Sequence, residues 1–132
     1  MPPKRNPRKL NKLQLKTLTL LQELARLPDM ATPNQETGEV TITAFPPPHG
    51  NHFHMGPYIV LGRDATGLRN EAVWRALNRK ALAYGTFPIG ITLTPAGLEY
   101  ETGLKDEILH LSLIHISEPT RRTPISYAVF CL

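Results

Sequence analysis

NEAVWRALNRKALAYG, residues 70–85, lies between the glycine-containing turn RDATGL (63–68) and the segment TFPIGITLTPAGLEY (86–100), and its reading decides the fold. Placed on a helical wheel, Val73, Trp74, Leu77, Ala81 and Tyr84 fall within about a third of the circle, while Arg75, Asn78 and Arg79 project from the opposite side. This spacing predicts an amphipathic helix over 71–84. Asn70 supplies an N-cap, Glu71 stands in the first turn where acid favours the helix dipole, and Gly85 follows the last turn. Beyond it, a short strand is expected over Ile91–Thr94. Thr94 then caps a further helix that carries Pro95 at its first position.

Upstream the period changes from helical to two. Val40, Ile42 and Ala44 alternate with Glu39, Thr41 and Thr43, as in a strand with one buried face. The prolines of FPPPHGN (45–51) interrupt it because they cannot donate to a ladder. HFHMGPYIVLG (52–62) reads as a strand, a Gly56-Pro57 turn and another strand. Phe53 and Met55 point one way, His52 and His54 the other, and Tyr58–Leu61 is apolar throughout, as in a strand covered on both sides. PDMATPNQETG (28–38) reads as a polar loop.

At the N-terminus, Leu10, Leu13, Leu18, Leu20, Leu21, Leu24, Ala25 and Leu27 share half of a wheel, opposite Lys12, Lys16, Thr19, Glu23 and Arg26, with Leu15 a stray apolar position. A helix over 10–27, ended by Pro28, follows. It serves either core formation or pairing with a copy of itself. The fold class expected from all this is α+β: an N-terminal helix on a small antiparallel sheet, then a second helix with a β-turn segment. One domain spans 10–110, preceded by a flexible leader over 1–9.

The leader MPPKRNPRKLNKLQLK holds Lys4, Arg5, Arg8, Lys9, Lys12 and Lys16 and no acid, a run that attracts polyanions or forms a solvated tail. No apolar stretch reaches the roughly 18 residues of a membrane span, and polar residues break any signal-peptide core. A cytoplasmic protein with no membrane partner is therefore expected.

The last 22 residues, LSLIHISEPTRRTPISYAVFCL (111–132), resemble the translation of a transposase-type sequencing-library adapter. The adapter start CTGTCTCTTATACACATCT, continued by CCGAGCCCACGAGAC, encodes Leu111 through Arg121. The flanking piece ATCTCGTATGCCGTCTTCTGCTTG encodes Ile125 through Leu132, and a sample index accounts for Arg122, Thr123 and Pro124. The resemblance implies a non-native tail, disordered or spuriously placed, with the biological chain truncated after His110. Without Arg121, Arg122 and Glu118 the net charge falls from +4 to +3. The only cysteine, Cys131, and the first serine, Ser112, both lie in this tail. The rest of the chain therefore lacks disulfides, thiolate ligands and Ser-His or Cys-His nucleophiles, and no enzymatic activity is expected.

DATGL, NEAVWRALNRKALA, ITLT and LTPAGLEY, within residues 64–102, resemble in order and spacing the second half of a winged helix-turn-helix domain. A β-rich stretch stands where that family has a full helix before the turn. The resemblance implies a DNA-binding regulator, with Arg75, Asn78 and Arg79 on a recognition helix in the major groove and the Pro88–Gly90 hairpin as the wing. Arginine pairs with guanine and asparagine with adenine, so these residue types suit base readout. Lys4, Arg5, Arg8, Lys9 and Lys12 would neutralise phosphates of double-stranded DNA. A homodimer through the terminal helices is the expected assembly.

His49, His52 and His54 form the alternative constellation, an H-x-x-H-x-H spacing that suits an open zinc or iron site. Gly50 with the two following histidines resembles the first metal motif of cupins, but Pro57–Leu61 supplies no glutamate for it. A structural or protein-interaction module with neither ligand is the third alternative.

Overall fold

The computed structural model describes residues 6–111, at 48 and 49 the backbone only. Helix α1 (Lys12–Leu24) starts at a capping box: the Asn11 side chain accepts from the Gln14 backbone N–H at 2.8 Å, and the Gln14 side chain accepts from the Asn11 N–H at 3.0 Å. Two orphan donors are thereby satisfied. Leu18, Leu20, Leu21 and Leu24 are fully buried. The helix is shorter than the expected 10–27, because Leu10 belongs to the preceding turn and Leu27 closes a tight turn onto Leu24.

Lys12 and Arg26 at its two ends face water as the wheel predicts, but the middle of its polar half does not. Thr17, Thr19 and Glu23 are buried. The Thr19 hydroxyl lies 2.6 Å from that of Thr102, and Gln22 Nε2 donates to the carbonyls of Gly97 and Tyr100, both at 2.8 Å. Lys16 Nζ donates to Asp64 at 2.8 Å in a largely shielded ion pair. Chain from later in the sequence supplies partners for Lys16, Thr19 and Gln22, while the Thr17 hydroxyl donates to the Leu13 carbonyl of its own helix at 2.9 Å.

Two antiparallel sheets share one core. The first comprises β1 (Ala31–Asn34), β2 (Glu39–Ile42), β6 (Ala83–Thr86) and β7 (Gly90–Leu93) in the order β1-β2-β7-β6. The second comprises β3 (Pro48–His49), β4 (His52–Met55), β5 (Tyr58–Leu61) and β8 (His110–Leu111), in chain order. A single small sheet is thus corrected to two. The physical reason lies in Pro46, Pro47 and Pro48: after β2 the chain cannot continue donating to the first ladder, so the following hairpin starts a new one. Met55 and Val60 plug that hairpin into the common core. Within Tyr58–Leu61 only Val60 is fully buried, so the strand is not covered on both sides as its composition suggests.

The 28–38 segment, expected as a polar loop, contains β1. Asn34 Oδ1 accepts from the backbone N–H of Glu36 and Thr37, Gly38 takes φ 77°, and the turn so formed folds β1 back on β2. Pro33 is tolerated because β1 is an edge strand.

Between β5 and the second helix run two short 3-10 turns, η1 (Gly62–Asp64) and η2 (Thr66–Arg69). Gly67 lets η2 press against α1, where a Cβ would collide with the Thr17 hydroxyl. Helix α2 (Glu71–Arg79) is capped by Asn70, whose side chain accepts from the Ala72 N–H at 3.0 Å. It ends five residues before the expected Tyr84. Ala81 takes φ 61°, its N–H donates to Asn78 and the Leu82 N–H donates to Leu77, the bond pair of a Schellman termination. Leu77 and Leu82, both fully buried, supply the hydrophobic contact of that motif. Ala83–Thr86 is consequently strand, and Tyr84 is 43% exposed instead of joining the inward stripe.

The Thr94 side chain accepts from the Gly97 N–H at 3.1 Å and opens α3 (Pro95–Glu99). A final turn of helix, α4 (Lys105–Ile108), inserts Ile108 and Leu109 into the core. Leu111, first residue of the adapter-like stretch, pairs with Tyr58 but leaves 60% of its surface exposed. The remainder of that stretch, 112–132, lies outside the described residues.

Candidate nucleic-acid interface

Helix α2 presents two unlike sides. Val73, Trp74, Ala76 and Leu77 are buried, and Trp74 is fixed by its indole N–H donating to the Leu68 carbonyl at 3.2 Å. An edge-on contact with Phe87, centroids 4.9 Å apart, ties the indole to the turn of the β6–β7 hairpin. With that side anchored, Arg75, Asn78 and Arg79 are all exposed on the other. Arg75 approaches Glu71 at 3.9 Å, yet its side chain remains 67% exposed. A solvated pair of this length holds the two side chains by no more than about 1 kcal/mol, which leaves the guanidinium available to a stronger anion.

The β6–β7 hairpin runs directly alongside. Its turn, Phe87-Pro88-Ile89, carries a cis Phe87–Pro88 bond and an Ile89 that is 71% exposed. A shallow pocket of about 80 Å³ between helix and hairpin is lined by Trp74, Arg75, Asn78, Gly85 and Phe87, with Glu71 at one edge. Helix and turn therefore offer one shared rim.

The expected basic residues of the leader do not act alike. Lys4 and Arg5 lie outside the described residues. From Asn6 onward the leader, expected to be flexible through residue 9, is tied down: Asn6 bonds to both the N–H and the carbonyl of Leu10, and Tyr100 donates to Asn6 Oδ1 at 2.7 Å. Arg8 reaches the end of α2. Its Nη1 donates to the Lys80 carbonyl at 2.6 Å, and Lys80 Nζ donates back to the Arg8 carbonyl at 2.7 Å. Lys9 is exposed beside it. Lys12 instead pairs with Glu107 at 3.0 Å. Sequence reading missed Lys80, which follows Arg79 and joins Arg8 at the carboxyl end of α2, where positive charge also suits the helix dipole.

The histidines assemble in part. His52 Nε2 and His54 Nε2 are 3.2 Å apart with rings edge to face, and backbone register places His49 opposite His52. The side chain of His49 lies outside the described residues, and among those described no group of three or more His, Cys, Asp or Glu side chains converges.

Leu18, Leu20, Leu21 and Leu24 of α1 belong to the intramolecular core, and Leu13 and Leu15 are packed against it partly buried. Among the described residues no helix is long and apolar enough to cross a membrane. The chain matches no protein-family model, no curated protein and no solved structure.

Proposed function

We propose that this chain binds double-stranded DNA through α2 and the adjacent β6–β7 hairpin, in the manner of a winged-helix regulatory protein. The observation that carries the reading is the solvent side of α2: Arg75, Asn78 and Arg79 exposed together on a helix whose opposite side is locked by Trp74. A helix of this kind fits the major groove, with the arginines paired to guanine edges and Asn78 to adenine. The hairpin turn at Pro88 would contact the neighbouring backbone as a wing. Arg8, Lys9 and Lys80 at the far end of α2 add phosphate contacts. The order β2-β7-β6, with the hairpin directly after α2, agrees with the wing assignment. The two 3-10 turns η1 and η2 stand where the family has a full helix.

The test is fluorescence anisotropy of the full chain on a random duplex between about 50 and 200 mM salt. Binding should weaken steeply with salt; Lys9→Ala/Lys80→Ala, at phosphate contacts, should lower the slope of log K against log salt by about 2, while the double variant Arg75→Ala/Arg79→Ala, at base contacts, should weaken binding with little change of slope. Asn78→Ala should relax sequence preference and leave that slope alone. A wild-type protein with no salt-dependent association, or an Arg75→Ala/Arg79→Ala variant that binds as well as wild type, would defeat the reading.

A second reading rests on one distance. Two nitrogens about 2.0–2.1 Å from a single tetrahedral ion stand roughly 3.4 Å apart, close to the 3.2 Å between His52 and His54 Nε2. Zinc or iron held there, with His49 as the third ligand, would make this hairpin a metal-binding element. Calorimetric titration with zinc should show saturable binding that His52→Ala removes; heats of dilution alone would end the proposal.

A further inference from the structure

A second cleft is lined mostly by residues that the DNA reading does not use, with Phe87 and Pro88 of the hairpin turn shared between the two. It encloses about 650 Å³, within the range of small-molecule sites, between the β2–β4 connection, η2 and the turn of the β6–β7 hairpin. Phe45, Phe53 and Phe87 form three aromatic walls, and Leu68 contributes an aliphatic one. Two of those rings are set by the same residue: Trp74 holds Phe45 at 6.2 Å and Phe87 at 4.9 Å between ring centroids. These two walls are thus positioned by the core.

Among the described residues the lining contains no carboxylate and one formal charge, Arg69. Arg69 sits at the end of η2, exposed, with no side-chain hydrogen bond or ion pair among the described residues. The exposed Thr66 hydroxyl, also in the lining and one turn earlier on η2, is a second donor. Aromatic walls favour a flat apolar body, and an unpaired guanidinium favours a carboxylate that it can grip with two parallel bonds. We infer that this cleft is a binding site for a compact aromatic carboxylate, its ring between the phenylalanines and its carboxylate on Arg69.

The inference stands apart from the DNA reading, since it uses neither Arg75 nor Arg79. Two probes of the same shape test it: 2-naphthoate and its uncharged amide, 2-naphthamide, followed by calorimetry and ligand-observed NMR with the full chain. Naphthoate should bind saturably, about tenfold tighter than the amide, the difference expected of a charge-assisted over a neutral hydrogen bond. Arg69→Ala, a change at an exposed position, should erase that preference and leave amide binding within roughly twofold. Thr66→Trp, which fills the mouth, should exclude both probes while circular dichroism remains that of wild type. No saturable binding of either probe to the folded wild type below about 1 mM overturns the site. A preference for naphthoate that survives Arg69→Ala overturns the assignment of the anion.

Discussion

Helices α1 and α2 have similar-looking wheels and opposite roles. Both divide into an apolar and a polar half in the sequence. In α2 the polar half is solvent side, with Arg75, Asn78 and Arg79 open. In α1 most of it beyond Lys12 is interior: Thr17, Thr19 and Glu23 are buried, Gln22 is bonded to two carbonyls, and Lys16 is paired with Asp64. A polar residue on a helix says only that its group must be satisfied. Water and a carbonyl from a distant loop satisfy it equally, and the choice between them fixes whether the face can meet a partner.

The sharpest contrast should come from equal truncations on the two helices. Leu21→Ala, at a position with no exposed surface, should cost about 2–5 kcal/mol in denaturant unfolding, whereas Arg79→Ala should stay within about 0.5 kcal/mol. Similar losses in both would mean that α2 is not the surface element described. One step smaller, Gln22→Ala strands the carbonyls of Gly97 and Tyr100 and should destabilise by about 1–2 kcal/mol. A neutral result would place water, not the α3 segment, over α1.

Ala81→Gly works in the other direction. It relieves a left-handed alanine at the end of α2 and should raise stability by about 0.5–1 kcal/mol; a helix that actually continued to Tyr84 would instead be weakened by glycine at this position. The smallest effect concerns Tyr84, whose hydroxyl donates to Glu39 at 2.6 Å. That bond to a carboxylate raises the phenol above its usual value of 10.0, with partial desolvation and the Glu39 charge acting in the same direction. Being raised in the folded state, this group contributes stability that is fully present below pH 10 and lost as pH climbs through the raised value. Phenolate absorbance, compared between wild type and Tyr84→Phe, should show late ionisation of Tyr84, and Glu39→Gln should return it toward the ordinary range.

The parts of the fold legible in the sequence are those governed by local chemistry. Asn70 and Thr94 cap the helices they were expected to cap, Gly56-Pro57 turns the hairpin, and the exposed residues of α2 follow from their spacing. What escaped was set by neighbours distant in sequence. Ala81 carries no mark of a left-handed conformation, and the more conspicuous Gly85 draws the expected end of α2 past it. The Leu77–Leu82 spacing was the one available hint. The polar face of α1 looked solvated because Asp64, Gly97, Tyr100 and Thr102 come from far along the chain. The candidate site divides in the same way: Arg75, Asn78 and Arg79 lie on one helix, but Arg8 and Lys80 meet across 72 positions. The aromatic cleft draws on three separate segments, and no single window of sequence contains it.

The reciprocal bonds between Arg8 and Lys80 have a practical side. They make residues 6–10 a brace on the carboxyl end of α2, so an affinity tag or fusion partner attached just ahead of them is not a neutral handle. Displacing Arg8 would release the Lys80 ammonium, redistribute charge along the surface under test and alter measured affinity for polyanions with no change in α2 itself. Binding assays on this protein therefore call for a traceless N-terminus.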